Sequence, residues 1–107
     1  EREARRQLGR LHADLELLKA QGYRTLAAQA AGTAVPGSTS IDKLFLSRVE
    51  QRLFATALEL LGPDVALAMN HWTHDLLEGR SVSIYGGSTE IQLNIISRQL
   101  LGLGAAR

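Results

Sequence analysis

The sequence predicts an all-α fold, an antiparallel helical bundle, and three observations lead there. Two long segments repeat apolar residues every three or four positions. Breaks bearing glycine and proline separate the segments. Ala and Leu dominate while aromatic residues make up 5%, a composition that favours helix over strand.

The first helix is expected over residues 2–31, where Ala4, Leu8, Leu11, Leu15 and Leu18 share one face. The stripe runs on through Gly22 to Leu26, widened by Ala27 and Ala30. Gly22 falls on the apolar line, and a glycine inside a helix costs about 1 kcal/mol against alanine, so a close neighbouring helix is expected there. At 1.5 Å per residue the element would be about 42 Å long, the length of a bundle helix. The stretch 33–38, with Pro36 and Gly37, breaks it and is short enough to join antiparallel neighbours.

Thr39 with Asp42 reads as a capping box, with Ser40 as a competing cap. The second helix is expected to bury Ile41, Phe45, Val49, Leu53, Ala57 and Leu60 or Leu61, and to stop at Gly62 and Pro63. Over 64–78, Val65, Leu67, Met69, Trp72, Leu76 and Leu77 fit one short helix or two fragments, ended by Gly79 and Arg80. Residues 81–85 alternate like a short extended stretch. Gly86 and Gly87 end it, Ser88 or Thr89 caps a last helix from Glu90 to about Leu101, and Gly102 closes that helix.

A length of 107 residues suits one domain with a modest core. Net charge is +1 with both signs interleaved, which provides no electrostatic footprint for nucleic acid or an anionic membrane. No apolar stretch approaches the roughly 20 residues of a membrane span, and no signal-peptide pattern opens the chain. The absence of cysteine excludes disulfides, thiolate metal sites and thiol catalysis within this chain, and suits the expected cytoplasmic location. The start at Glu1, without methionine and already helical in pattern, predicts that residues 1–107 are a fragment of a longer chain.

The segment richest in chemistry is Ser83-Ile84-Tyr85-Gly86-Gly87-Ser88-Thr89-Glu90-Ile91-Gln92. Adjacent glycines let a backbone pass close to a flat ligand and leave amides accessible. A helix N-terminus adds N–H donors and partial positive charge, suited to a phosphate or a carbonyl oxygen. By itself the pattern is more often a plain turn than a site.

Together with Asn94-Ile95-Ile96-Ser97-Arg98 and Leu101-Gly102-Leu103, this segment resembles the C-terminal signature of acyl-CoA dehydrogenases. The similarity extends upstream through Leu58-Glu59-Leu60-Leu61-Gly62-Pro63 and covers both long helices. The resemblance implies most of a C-terminal four-helix bundle, lacking its first helix. It implies FAD as cofactor and an acyl-CoA as substrate. A carboxylate takes the α-proton, the β-hydrogen leaves as hydride to the flavin, and an electron-transfer partner reoxidises the flavin. It implies, too, a homo- or hetero-oligomer, a tetramer, built with other acyl-CoA dehydrogenase subunits.

Matched residue by residue, Tyr85 would line the substrate side and the Gly87 backbone would lie against the thioester. Ser88, Thr89 and Glu90 correspond to the stretch that contacts the flavin dinucleotide. Glu59 and Gly62 align with a Gln and double-glycine stretch that touches the adenine half of an FAD in a neighbouring subunit. Two departures stand out. Gly86 occupies the position of the family's catalytic base, and glycine cannot accept a proton. Glu59 replaces the Gln and Pro63 the second glycine, so a carboxylate would repel a pyrophosphate and an amide donor is lost. Three explanations follow: the base lies on the absent first bundle helix, unequal subunits pair with one working flavin site, or dehydrogenation has been lost.

Other signals have plainer readings. Glu90 in a first helical turn complements the helix dipole, against a role as displaced base. His71 and His74 stand three apart, a zinc-compatible spacing without a third ligand in the pattern, and surface positions are expected. Trp72 reads as a buried bundle contact, with stacking on adenine as the alternative. His12 sits at the edge of the leucine stripe. Arg2, Arg5, Arg6 and Arg10 accompany Glu1, Glu3 and Asp14 as a solvated face.

Overall fold

The computed structural model describes residues 1–68 and 70–104, without the side chain of Ala66. The expectation for Met69 lies outside the described residues. Among the described residues five α-helices follow in order: α1 (Arg2–Ala30), α2 (Ser38–Leu61), α3 (Pro63–Leu67), α4 (His71–Ser81) and α5 (Thr89–Ile95), which runs on as a π-helical turn over Ile96–Leu100. Among the described residues there is no strand. The all-α bundle expected from the periodicity is what forms.

The middle of the molecule is α2. It packs on α1 along one side and on α4, α5 and the π turn along the other, while among the described residues α1 packs on α2 alone. The α1–α2 pair is antiparallel. The Gln7 amide donates to Glu59 at 3.1 Å, Arg52 pairs with Asp14, and the Gln21 amide donates to Asp42 at 2.9 Å. The apolar stripe of α1 is only partly covered: Leu11 is buried, but Leu8 and Leu15 remain 53% and 42% exposed. Nothing lies within 4 Å of a Cβ built at Gly22, so the close neighbour expected there is absent among the described residues.

Buried apolar side chains among the described residues are Leu11, Leu44, Val49 and Val82, each worth about 1.5–3 kcal/mol when fully buried. The radius of gyration, 16.8 Å, exceeds the roughly 13 Å of a compact chain this long. A 54 Å long axis reflects the length of α1.

Several local expectations change. No side chain caps α2; its N-cap is Gly37 at φ 83°, and Asp42 instead accepts the Gln21 amide. A Cβ on Gly37 would stand 3.3 Å from the Gln99 Cβ, so the glycine lets the start of α2 seat against the π turn. On α2, Ile41, Phe45, Leu53 and Ala57 are half-buried, and Leu60 and Leu61 are exposed. The deepest positions are Ser40, Leu44, Ser47, Val49 and Thr56, because α2 is flanked on two sides and not along one stripe.

The stop at Gly62 and Pro63 holds, with proline opening α3. Residues 64–78 form two helices, not one. The joint is stitched by Asn70, whose side chain caps α4 at the Thr73 amide (3.2 Å), and by the Thr73 hydroxyl, which donates to the Val65 and Ala68 carbonyls at 2.9 and 2.7 Å. Gly79 does not end α4, which continues to Ser81. Its missing side chain admits Phe54, whose Cδ2 lies 3.2 Å from where a Cβ would stand. Trp72 is half-buried, with its ring 5.0 Å from that of His71.

Candidate functional site

At the 82–88 connection two side chains from other elements, Lys43 and Gln92, reach for backbone. It is a turn, not the extended stretch that alternation suggested: the Ile84 and Tyr85 amides both donate to the Ser81 carbonyl, at 2.9 and 3.0 Å. Period-two alternation over five residues is too short to outweigh those local bonds. Val82 is buried and anchors the turn, while Ile84, Tyr85 and Gly86 are exposed at its tip.

Gly86 and Gly87 both take positive φ, 66° and 100°, a region that a side chain disfavours. The carbonyls of the turn are drawn inward. Lys43 of α2 donates its ammonium to the Val82 carbonyl at 3.1 Å and the Gly87 carbonyl at 2.6 Å. The buried Gln92 amide donates to the Gly86 and Gly87 carbonyls at 3.1 and 3.4 Å. The peptides are trans, and in a trans peptide the N–H points opposite to its C=O. The amides of Gly87 and Ser88 therefore face away from Lys43 and Gln92. Neither donates to a backbone carbonyl among the described residues.

Ser88 caps α5, its hydroxyl accepting from the Ile91 amide at 3.4 Å, and the Thr89 amide closes the turn on the Ser83 carbonyl at 3.1 Å. Glu90 is exposed, and its carboxyl is held below the ordinary glutamate value by its own backbone N–H and the Ser88 hydroxyl. At the far end, Gly102 has φ 64° and the Leu103 amide returns to the Ser97 carbonyl at 2.8 Å, the glycine closure expected there.

Tyr85, Gly86, Gly87, Ser88, Thr89 and Glu90 thus form one continuous surface. Glu59 and Gly62 lie elsewhere: by helical rise Glu59 is roughly 24 Å from Lys43 along α2. The Glu59 carboxylate accepts the Gln7 amide at 3.1 Å, and the Gly62 amide is used by the Leu58 carbonyl. His74 joins Asp75 (3.2 Å) and Glu78 (3.7 Å) in an exposed group on α4. Arg5 pairs with Glu1 and Arg6 with Glu3, all solvated.

Sequence reasoning passed over Lys43 and gave Gln92 no role of its own. No sequence signal marks Lys43: its partners are the backbone carbonyls of Val82 and Gly87, some forty residues further along the chain.

No helix among the described residues is long and apolar enough to cross a membrane. The chain matches the family model described as "Acyl-CoA dehydrogenase, C-terminal domain" over residues 2–101. It is 30% identical over 87 residues to acyl-CoA dehydrogenase IpdE1 of Mycobacterium tuberculosis, covering 78% of this chain and 23% of that protein. It is 32% identical over 87 residues to the protein of the same name from Mycolicibacterium smegmatis, covering 78% of this chain and 22% of that protein. The chain therefore spans under a quarter of the length of the curated relatives it matches. No solved structure matches it significantly. By the match over residues 2–101, the chain belongs to the acyl-CoA dehydrogenase family, as its C-terminal helical domain.

Proposed function

We propose that this chain is the C-terminal helical part of an FAD-dependent acyl-CoA dehydrogenase that converts an acyl-CoA thioester to the 2-enoyl-CoA, acting within an oligomer with other subunits of the family. One observation carries the reading: the amides of Gly87 and Ser88 face outward beside the exposed Tyr85, held there by Lys43 and Gln92. Two fixed N–H donors suit an oxygen that gains negative charge, as a thioester carbonyl does when its α-proton leaves. Donors that are already oriented need no reorganisation as that charge develops.

When bound, FAD would accept the β-hydride. The turn offers such a cofactor the Thr89 hydroxyl, which would suit an uncharged flavin edge, while the Thr89 amide is already taken by the Ser83 carbonyl. The carboxylate of Glu90 is turned onto its own helix end and would not suit a phosphate. Glu59 fits the pyrophosphate half poorly, since its negative charge would face negative charge. The base must come from residues outside the 85–87 tip, because Gly86 carries no acceptor there. The exposed Leu8 and Leu15 share one face of α1 and form an apolar edge that supports burial against another part of a larger assembly.

A second reading, favoured by Gly86 and by the Glu59 and Pro63 departures, is a non-catalytic helical assembly domain in a heteromeric dehydrogenase. The native assembly purified from its source separates the two. FAD in stoichiometric amount, with an intact chain mass several times that of 107 residues, is expected for the enzyme. A colourless oligomer would leave only the assembly role.

A further inference from the structure

Lys43 is a half-buried residue of α2 that lies outside the motifs carrying the family resemblance. An ammonium has three donors, and two of them reach the two ends of one turn: the Val82 carbonyl at 3.1 Å and the Gly87 carbonyl at 2.6 Å. Its Nζ lies 5.9 Å from the centre of the Tyr85 ring, within reach of a cation–π contact. Its Cε lies 3.4 Å from where a Cβ on Gly86 would stand. A lysine on a solvated helical face would leave its head in water. This one runs its stem past the glycine at the tip and places its charge beneath the turn.

The geometry points to Lys43 as a positioning residue for the substrate-facing turn. It acts through the Gly87 peptide: holding that carbonyl inward fixes the direction of the Ser88 amide on the opposite edge of the same trans unit. A charge-assisted bond of 2.6 Å is of the stronger kind, and its second arm to Val82 ties the tip to a buried anchor. The tip therefore keeps its donors aimed although Ile84 and Tyr85 are 69% and 58% exposed. That the group received there is an acyl thioester rests on the function proposed above.

Residues 1–107 contain no cysteine, so K43C introduces the one thiol within them. Alkylation with 2-bromoethylamine then rebuilds an ammonium that differs from lysine by one sulfur in place of a methylene. The native assembly would carry K43M, K43C or aminoethylated K43C, with reagent-treated wild type as control. Two readouts are taken. Amide hydrogen exchange is followed at Tyr85 and Thr89, whose bonds close the turn, and in α1 as reference. KM and kcat are measured for an acyl-CoA.

In K43M, exchange at Tyr85 and Thr89 should accelerate about tenfold with α1 unchanged, and KM should rise about tenfold together with a fall in kcat. Aminoethylation of K43C should restore both. Unchanged exchange in K43M overturns the proposal, as does acceleration that the rebuilt ammonium does not reverse, or a loosened turn with wild-type kinetics. A wild-type assembly that turns over no acyl-CoA contradicts the proposed function instead. In that case exchange at the two amides still decides whether Lys43 holds the turn.

Discussion

The two sides of α2 are held by different means. Towards the 82–88 turn, Lys43 and Gln92 reach backbone carbonyls, and Phe54 fits against a glycine of α4. Towards α1, three polar bridges span a surface where Leu8 and Leu15 stay exposed. Surface ion pairs contribute about 0–1 kcal/mol, whereas stranding a buried amide costs about 1–3 kcal/mol. The turn side is held by directional hydrogen bonds onto backbone carbonyls. The α1 side is an apolar edge that the described residues do not finish covering.

The largest effect should come from Gly87→Ala. Its Cβ would stand 2.5 Å from the Gln92 Nε2 at φ 100°, displacing a buried amide from two carbonyls. A loss of about 2–4 kcal/mol is expected from the denaturant midpoint of the assembly. Its neighbour provides the contrast. The Cβ of Gly86→Glu would have one neighbour within 4 Å among the described residues, the Lys43 Cε at 3.4 Å, so the backbone conformation should set most of the cost, about 1–2 kcal/mol. The same variant puts a carboxylate at the family's base position. Dehydrogenation that appears, or moves to another acyl chain length, would mean that the remaining site is intact; loss of existing activity would mean that the bare backbone is needed there.

Gly79→Ala tests the α4 contact. The new methyl would press on the Phe54 ring at 3.2 Å, costing about 1–3 kcal/mol, offset by about 1 kcal/mol of helix propensity. A net destabilisation of about 1 kcal/mol is expected, read by the thermal midpoint. On the other side, Gly22→Ala meets open space and should stabilise α1 by about 0.5–1 kcal/mol. Destabilisation of the native assembly by this change would reveal a helix packed at Gly22 from outside residues 1–107.

The smallest effect concerns Glu90. Its carboxyl is held below the ordinary glutamate value by its backbone N–H and Ser88, so its contribution is present above that range and fades as pH falls through the lowered value. Glu90→Gln should lower the thermal midpoint slightly at neutral pH. The gap from wild type should close as the solution is acidified below the ordinary glutamate range. A gap that persists in acid would mean that the side chain acts by shape and not by charge.

The long helices were legible because their apolar period runs over more than twenty residues, and Gly62, Pro63, Ser88 and Gly102 punctuate the chain where the structure does. Short-range signals misled where tertiary contacts decide. Gly79 resembles a helix stop until Phe54 is seen against it, and Asp42 resembles a cap until the Gln21 amide claims it. The 85–90 surface could be located through its double glycine and helix cap. Its inward carbonyls could not, since they depend on Lys43 lying some forty residues upstream and folding beneath the turn.

The most direct test of the account is an anaerobic titration of the native assembly with acyl-CoA thioesters, followed by flavin absorbance. The account predicts stoichiometric bleaching by at least one thioester, with release of the 2-enoyl-CoA. An assembly that binds flavin but is bleached by none of a series spanning short, long, branched and sterol-derived acyl groups would contradict it.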